Sequence, residues 1–254
     1  MAIAPPHDVG PPRKAHRAAW RDWLLREIGP VAAVLVVTVG LWLFLVVADE
    51  MGEGETARID RAILFGLRQA GDPHLPLGPK WLHVAAADVT SFGSVTGLTL
   101  IVALIAGYFA AFRRYREALI LVAAAASGSL VSQALKQFFG RERPPMVLHA
   151  VEVMNPSFPS GHAMLSAVVY LTLAVLIARF SDSKRVKAYS LGAGIVMTLL
   201  VGASRVYLGV HWPSDVLAGW SLGAAWALAW WLLAWALVRF GPFRARASTT
   251  KARR

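Results

Sequence analysis

Three short segments of this 254-residue chain gather residue types that an apolar protein has little structural reason to place together. The first runs from Lys136 through Gly140 to Arg143 and Pro144. Lys136 ends an apolar stretch and Arg143 follows a turn, so two cations stand close, an arrangement that suits a phosphate. Snorkelling of basic side chains at a helix end accounts for the same residues without a ligand. Arg141 and Glu142 are expected to pair with each other or to face water. The second segment, Pro159-Ser160-Gly161-His162, leads into another apolar stretch. A serine cap followed by glycine opens a helix whose first N–H groups point outward at the positive end of the dipole, which makes an anion site. His162 falls in the first turn, within reach of a bound group, although an ordinary capped helix with an interfacial histidine has the same sequence. The third segment runs from Ser204-Arg205 to His211-Trp212-Pro213-Ser214-Asp215. Pro213 suits a first helical turn. His211 and Asp215 then lie one turn apart, so that the carboxylate can orient the imidazole and fix its tautomer. Asp215 equally suits the dipole of a helix N-terminus. Together the segments offer three cations (Lys136, Arg143 and Arg205), a backbone anion nest, two histidines and an orienting carboxylate.

The elements that must position these groups are membrane helices. Hydrophobic residues make up 56% of the chain and charged residues 16%, with a mean hydropathy of +0.51. A soluble domain is about 45–50% apolar and about 25% charged. Disorder is excluded by the same numbers, and the absence of cysteine excludes disulfides, thiolate metal sites and cysteine nucleophiles. Six stretches lack Asp, Glu, Lys and Arg: Val31–Ala48, Ser91–Phe112, Ala118–Leu135, Ala163–Ala178, Ala188–Ser204 and Val216–Val238. Each approaches the roughly 20 residues that a spanning helix needs. The expected fold is all-α, a polytopic membrane protein with a six-helix transmembrane bundle over 31–238, flanked by basic tails at 1–30 and 239–254.

The net charge of +11 is distributed by topology. Both tails and alternate connections hold 18 of the 26 Lys and Arg, and the other connections hold the remaining 8. Positive charge stays cytoplasmic, so both termini are expected inside and all three segments outside. The basic tails then need no nucleic-acid partner; anionic lipid suffices. No cleavable signal peptide is expected. Ala15–Ile28 reads as an interfacial helix. The outer connection 49–90 carries Ile59, Ala62, Ile63, Gly66 and Leu67 at helical spacing, with Arg58, Asp60, Arg61 and Arg68 between them, as in a short amphipathic helix on the outer leaflet. Trp226, Trp230, Trp231 and Trp235 are expected to anchor at an interface. Gly93 with Gly97, and Gly219 with Gly223, have the spacing of close helix contacts. His7, His16, His74, His83 and His149 are expected in tails or loops, without metal-ligand spacing.

Lys136-x6-Arg143-Pro144, Pro159-Ser160-Gly161-His162 and Ser204-Arg205-x5-His211-x3-Asp215 resemble the tripartite signature of the type 2 phosphatidic acid phosphatases, relatives of bacterial acid phosphatases and vanadium haloperoxidases. All eleven specified positions match in order. The resemblance implies a phosphatase that needs no metal or cofactor and works through a phosphohistidine. His211 would be the nucleophile, Asp215 its orienter and His162 the acid for the leaving group. Lys136, Arg143, Arg205 and the N–H groups of Ser160 and Gly161 would bind the phosphate. His211 has to be neutral to attack, and His162 has to carry a proton. The implied partner is a lipid phosphate in the bilayer: undecaprenyl diphosphate, phosphatidic acid or phosphatidylglycerol phosphate. A bacterial inner membrane is the implied location, with the site facing outward. A phosphotransferase or lipid A phosphatase of the same chemistry is an alternative. A non-catalytic lipid-phosphate binding or transport protein is another, although binding alone needs no nucleophile.

Overall fold

Charged residues end the apolar stretches without ending the helices, because Arg, Lys and Glu are good helix formers and can extend their side chains toward water. A computed structural model describes residues 13–149, 151 and 155–240, with side chains from Gly29 onward. Its helices are α1 (Arg13–Glu53), α2 (Thr56–Gly66), α3 (Lys80–Ser91), α4 (Val95–Ala111), α5 (Tyr115–Phe139), α6 (Gly161–Arg179), α7 (Lys184–Tyr207) and α8 (Pro213–Phe240). A small antiparallel hairpin, β1 (Arg68–Gln69) and β2 (Asp72–Pro76), lies between α2 and α3. Among the described residues five helices are long and apolar enough to cross a membrane, and α3 with α4, bent by 53° at the break between them, meets the same measure only when taken as one. The chain is a multi-pass, mostly helical membrane protein.

The bend corrects the expected straight span Ser91–Phe112. Ser94 accepts a hydrogen bond from the Gly97 N–H at 2.9 Å and caps α4, so the transmembrane helix starts only at Val95. Tyr170 on α6 donates to the Phe92 carbonyl at the break, at 2.7 Å. The separate interfacial helix also needs correction, because α1 runs unbroken through Ala15–Ile28 and Pro30. The tail before Arg13, the end after Phe240 and His7 lie outside the described residues, as do the side chains of Ala15–Ile28, His16 included.

The middle of the bundle is α6, of which two thirds is buried, against a third or less of the other single-helix spans. It packs on α7 and α8, while α1 covers the far side of α8. Close approach of α6 and α8 rests on Gly219 and Gly223. A Cβ at Gly219 would come within 2.7 Å of the Ser160 carbonyl, and one at Gly223 within 2.7 Å of the Ala167 Cβ. Gly93 and Gly97 share no such face: Gly93 sits against Val201 and His162, and Gly97 lies within the cap of its own helix.

The outer connection forms the expected helix, α2, which leaves Ile59 and Ile63 exposed and turns Asp60 and Leu64 inward. Ile59 is 60% exposed, whereas Asp60 is 2% exposed and Leu64 is fully buried. The buried acid survives because it is fully partnered, as described below. Arg68 is buried as well and donates to the carbonyls of Tyr207 and Leu148, tying the hairpin to the end of α7. His83 stands on α3 rather than in a loop, with its ring 5.9 Å from that of Tyr207. Two of the four tryptophans point into the bundle, since Trp226 and Trp230 both donate to Ser127 Oγ at 3.1 Å. Those two therefore hold α8 on α5, in place of the expected anchoring.

Candidate active site

The end of α8 that begins at Pro213 is built around its own third residue. Asp215 reaches back to accept the Trp212 N–H at 2.9 Å, the acidic half of a capping box. The same Oδ2 atom accepts from Ser157 Oγ and lies 3.3 Å from His211 Nδ1, while Oδ1 accepts from Arg141 at 2.6 Å. Every hydrogen-bond partner of these oxygens can donate, which suits a carboxylate, and Asp215 is completely buried.

These contacts assign the tautomer of His211. Ser157 gives its proton to Asp215, so its oxygen is free to accept from His211 Nδ1 at 3.3 Å. On the other side, Arg143 Nη1 is 3.2 Å from His211 Nε2, and a guanidinium can only donate. Nδ1 therefore carries the hydrogen and Nε2 carries the lone pair. Burial pushes the imidazole pKa down to about 3; Arg143 and Lys136 act in the same direction and Asp215 opposes them. The ring is neutral at physiological pH. Burial also lowers the pKa of Arg143, against the pull of Asp215.

A cavity of about 680 Å³ opens beside this histidine. Lys136, Arg143, Gly161, His162, Arg205 and His211 all line it, brought there by α5, the 140–160 connection, α6, α7 and the turn before α8. Arg205 is 3% exposed; one Nη1 donates to Thr90 at 3.0 Å and its Nε has no partner among the described residues. Arg143 spends its Nε on the Asn155 carbonyl at 2.6 Å and shares Nη1 with the Val210 carbonyl. Lys136 donates to the Pro156 carbonyl at 2.6 Å and lies 3.4 Å from that of Ser157, so it also fixes the loop that presents Ser157. His162 occupies the first turn of α6.

Two predicted residues stand behind the cavity rather than on it. Asp215 acts on His211 from the rear. Ser160 is fully buried, its N–H donates to the Asp215 carbonyl at 3.0 Å, and its hydroxyl caps α6. Of the two expected backbone donors, Gly161 lines the cavity, and the Ser160 N–H is already engaged.

Sequence reasoning missed three residues. Ser157 lies outside any periodic element, so only its three-dimensional place reveals it. Arg141, expected to pair with Glu142 or face water, instead joins Asp215 to Asp60 at 2.6 and 2.8 Å. Arg141 also donates to Ser214 Oγ at 2.7 Å. Asp60 was read only as one of the charged residues between the apolar positions of its helix; its spacing with the buried Leu64 and Arg68, four residues at a time, was the available signal.

In chemical terms, the arrangement places a neutral imidazole, its Nε2 lone pair held by Arg143, at the wall of a pocket rimmed by cations, with a second imidazole on the same pocket. Such a site can bind a phosphate and exchange its substituent. Residues 117–239 match the family model described as the PAP2 superfamily. Phosphatidylglycerophosphatase B of Bacillus subtilis is 34% identical over 145 residues, covering 56% of this chain and 70% of that protein. An undecaprenyl-diphosphatase of Sulfolobus acidocaldarius is 31% identical over 119 residues, covering 44% and 53%. Among solved structures, a transmembrane PAP2 type phosphatidylglycerolphosphate phosphatase from Bacillus subtilis superposes with a TM-score of 0.70 at 27% identity, over 83% of this chain and 98% of that one. Helical fold, signature segments and related sequences agree, and the chain belongs to the PAP2 superfamily.

Proposed function

We propose that this protein hydrolyses the phosphomonoester or diphosphate of a membrane lipid through a phosphohistidine on His211. The observation that carries this reading is the environment of His211 Nε2. Its lone pair accepts from Arg143 at the wall of a cavity lined by Lys136, Arg143 and Arg205, while Nδ1 is held by Asp215 and Ser157.

Nε2 attacks phosphorus in line, a P–N bond forms, and the P–O bond to the lipid breaks. His162 gives its proton to the departing oxygen. Water then attacks the phosphohistidine, returns a proton to His162, and phosphate leaves with His211 neutral again. Lys136, Arg143, Arg205 and the Gly161 N–H stabilise the charge that spreads over the equatorial oxygens. Asp215 stabilises the positive charge that appears on the ring when Nε2 bonds to phosphorus. None of these steps draws on a metal, and the cations of the chain neutralise the phosphate themselves.

Undecaprenyl diphosphate, phosphatidic acid and phosphatidylglycerol phosphate are the substrate candidates; the names of related proteins support the first and the last. The site faces the outside of the inner membrane and both termini the cytoplasm, in keeping with the distribution of Lys and Arg. Phosphate release from each lipid by the purified protein in detergent with EDTA tests the proposal. Release is expected with EDTA present, and His211→Ala is expected to reduce it by about 10³–10⁴-fold or more. Strict magnesium dependence or an active His211→Ala variant would contradict it. His162→Ala should slow a phosphomonoester by about 10²–10⁴-fold and a diphosphate by less, because a departing phosphate needs protonation less than a departing alkoxide. Equal losses on the two classes would count against the acid role.

A further inference from the structure

Neither Asp60 nor Arg141 is one of the specified signature positions, yet the two complete a chain of contacts that starts at the nucleophile. His211 Nδ1 meets Asp215 Oδ2 at 3.3 Å, Asp215 Oδ1 accepts from Arg141 at 2.6 Å, and Arg141 donates its other nitrogen to Asp60 at 2.8 Å. Asp60 also accepts the backbone N–H of Ser214 at 2.9 Å and its hydroxyl. Ser214 precedes Asp215, so Asp60 holds both the guanidinium and the backbone on which the orienting carboxylate is mounted.

We propose that Asp60, carried by the outer helix α2, is a positioning residue for the phosphohistidine reaction and sets the direction of the Asp215 carboxylate through Arg141 and Ser214. The inference rests on the reading of His211 as nucleophile. Its physical basis is competition between two acids for one cation. With Asp60 in place, Arg141 is shared between two carboxylates and engages only Oδ1 of Asp215, leaving Oδ2 for Ser157, the Trp212 N–H and His211. Without the Asp60 charge, Arg141 is free to take Asp215 in the two-pronged geometry that guanidinium and carboxylate prefer. Oδ2 is then withdrawn from His211 Nδ1, and the ring loses both its fixed orientation and the full stabilisation of its charged state. Substrate binding is left alone, since Asp60, Arg141 and Ser214 do not line the cavity.

Asp60→Asn keeps the size of the side chain and removes its charge. Expected is a fall in kcat of about 10–100-fold, with KM for the lipid and the inhibition constant of inorganic phosphate within about threefold of the parent protein. Asp60→Glu should recover part of the lost kcat, and Asp60→Asn should have little further effect in an Arg141→Gln background. Should Asp60→Asn fail to fold, Arg141→Lys, which keeps one donor but not the fork, is expected to show the same split. A folded Asp60→Asn protein with kcat within twofold of the parent would overturn the inference, as would weakened phosphate inhibition in step with kcat. An active His211→Ala protein measured alongside would instead overturn the underlying mechanism.

Discussion

At the scale of single residues, the chain solves two problems with one set of contacts. A carboxylate completely removed from water must be satisfied, and an imidazole must be held so that one particular nitrogen keeps its lone pair. Ser157 does both, donating to Asp215 and accepting from His211. Ser157→Ala is therefore expected to destabilise the protein by about 1–3 kcal/mol, because the carboxylate loses a donor that water cannot replace there. Thermal unfolding in detergent measures this, and an unchanged midpoint would contradict it. The neutral state of His211 has a pH consequence with a definite sign. Its folded pKa of about 3 lies below the roughly 6.5 of an unfolded histidine. Below that unfolded value the unfolded chain binds the extra proton, so this contribution to stability is complete above about pH 6.5 and declines as pH falls toward 3. His211→Gln should flatten that part of the stability curve; an identical acid profile would show that His211 is not the group responsible. The signature residues were legible from type and spacing alone, whereas Ser157 was not, since its role depends on a loop that Lys136 holds by its carbonyls.

Among the elements, the close contact of α6 and α8 decides whether those residues meet. His162 opens α6, Asp215 opens α8, and the Ser160 N–H binds the Asp215 carbonyl where the two helices start. Their axes can come near because Gly219 and Gly223 present no side chain to Ser160, Ala163 and Met164. Gly223→Val should force the helices apart, destabilise the fold by about 1–3 kcal/mol or more and lower activity with it. Gly107→Val, in a position with open space around it, is the control expected to leave both unchanged. Equal behaviour of the two variants would show that the contact does not decide how the helices pack. Apolar runs gave the positions of the crossing helices, because a bilayer demands them. What the runs could not give was the bend at Phe92–Ser94, which is local capping, or the inward face of α2, which depends on Arg141 arriving from 81 residues away.

For the whole molecule, the same sequence supplies a membrane bundle and a cationic cavity at one end of it. Both come from where charges are permitted. Cations are excluded from the spanning helices except at their ends, and the ends of α5 and α7, together with the turns after α5 and before α8, converge around His211. The fold class was readable from composition, and the convergence from the three segments lying on one side of the predicted topology. The width of the cavity and the network behind it depend on packing, and the sequence alone did not contain them. Everything in the proposed function turns on transfer of a phosphoryl group to His211 and then to water. Rapid quenching of the purified protein with a lipid labelled in its scissile phosphate measures that most directly. Expected is an acid-labile, alkali-stable phosphate on the peptide containing His211, formed with EDTA present and chased away by unlabelled substrate. Turnover of the lipid with no label on that peptide, or label persisting in His211→Ala, would contradict it.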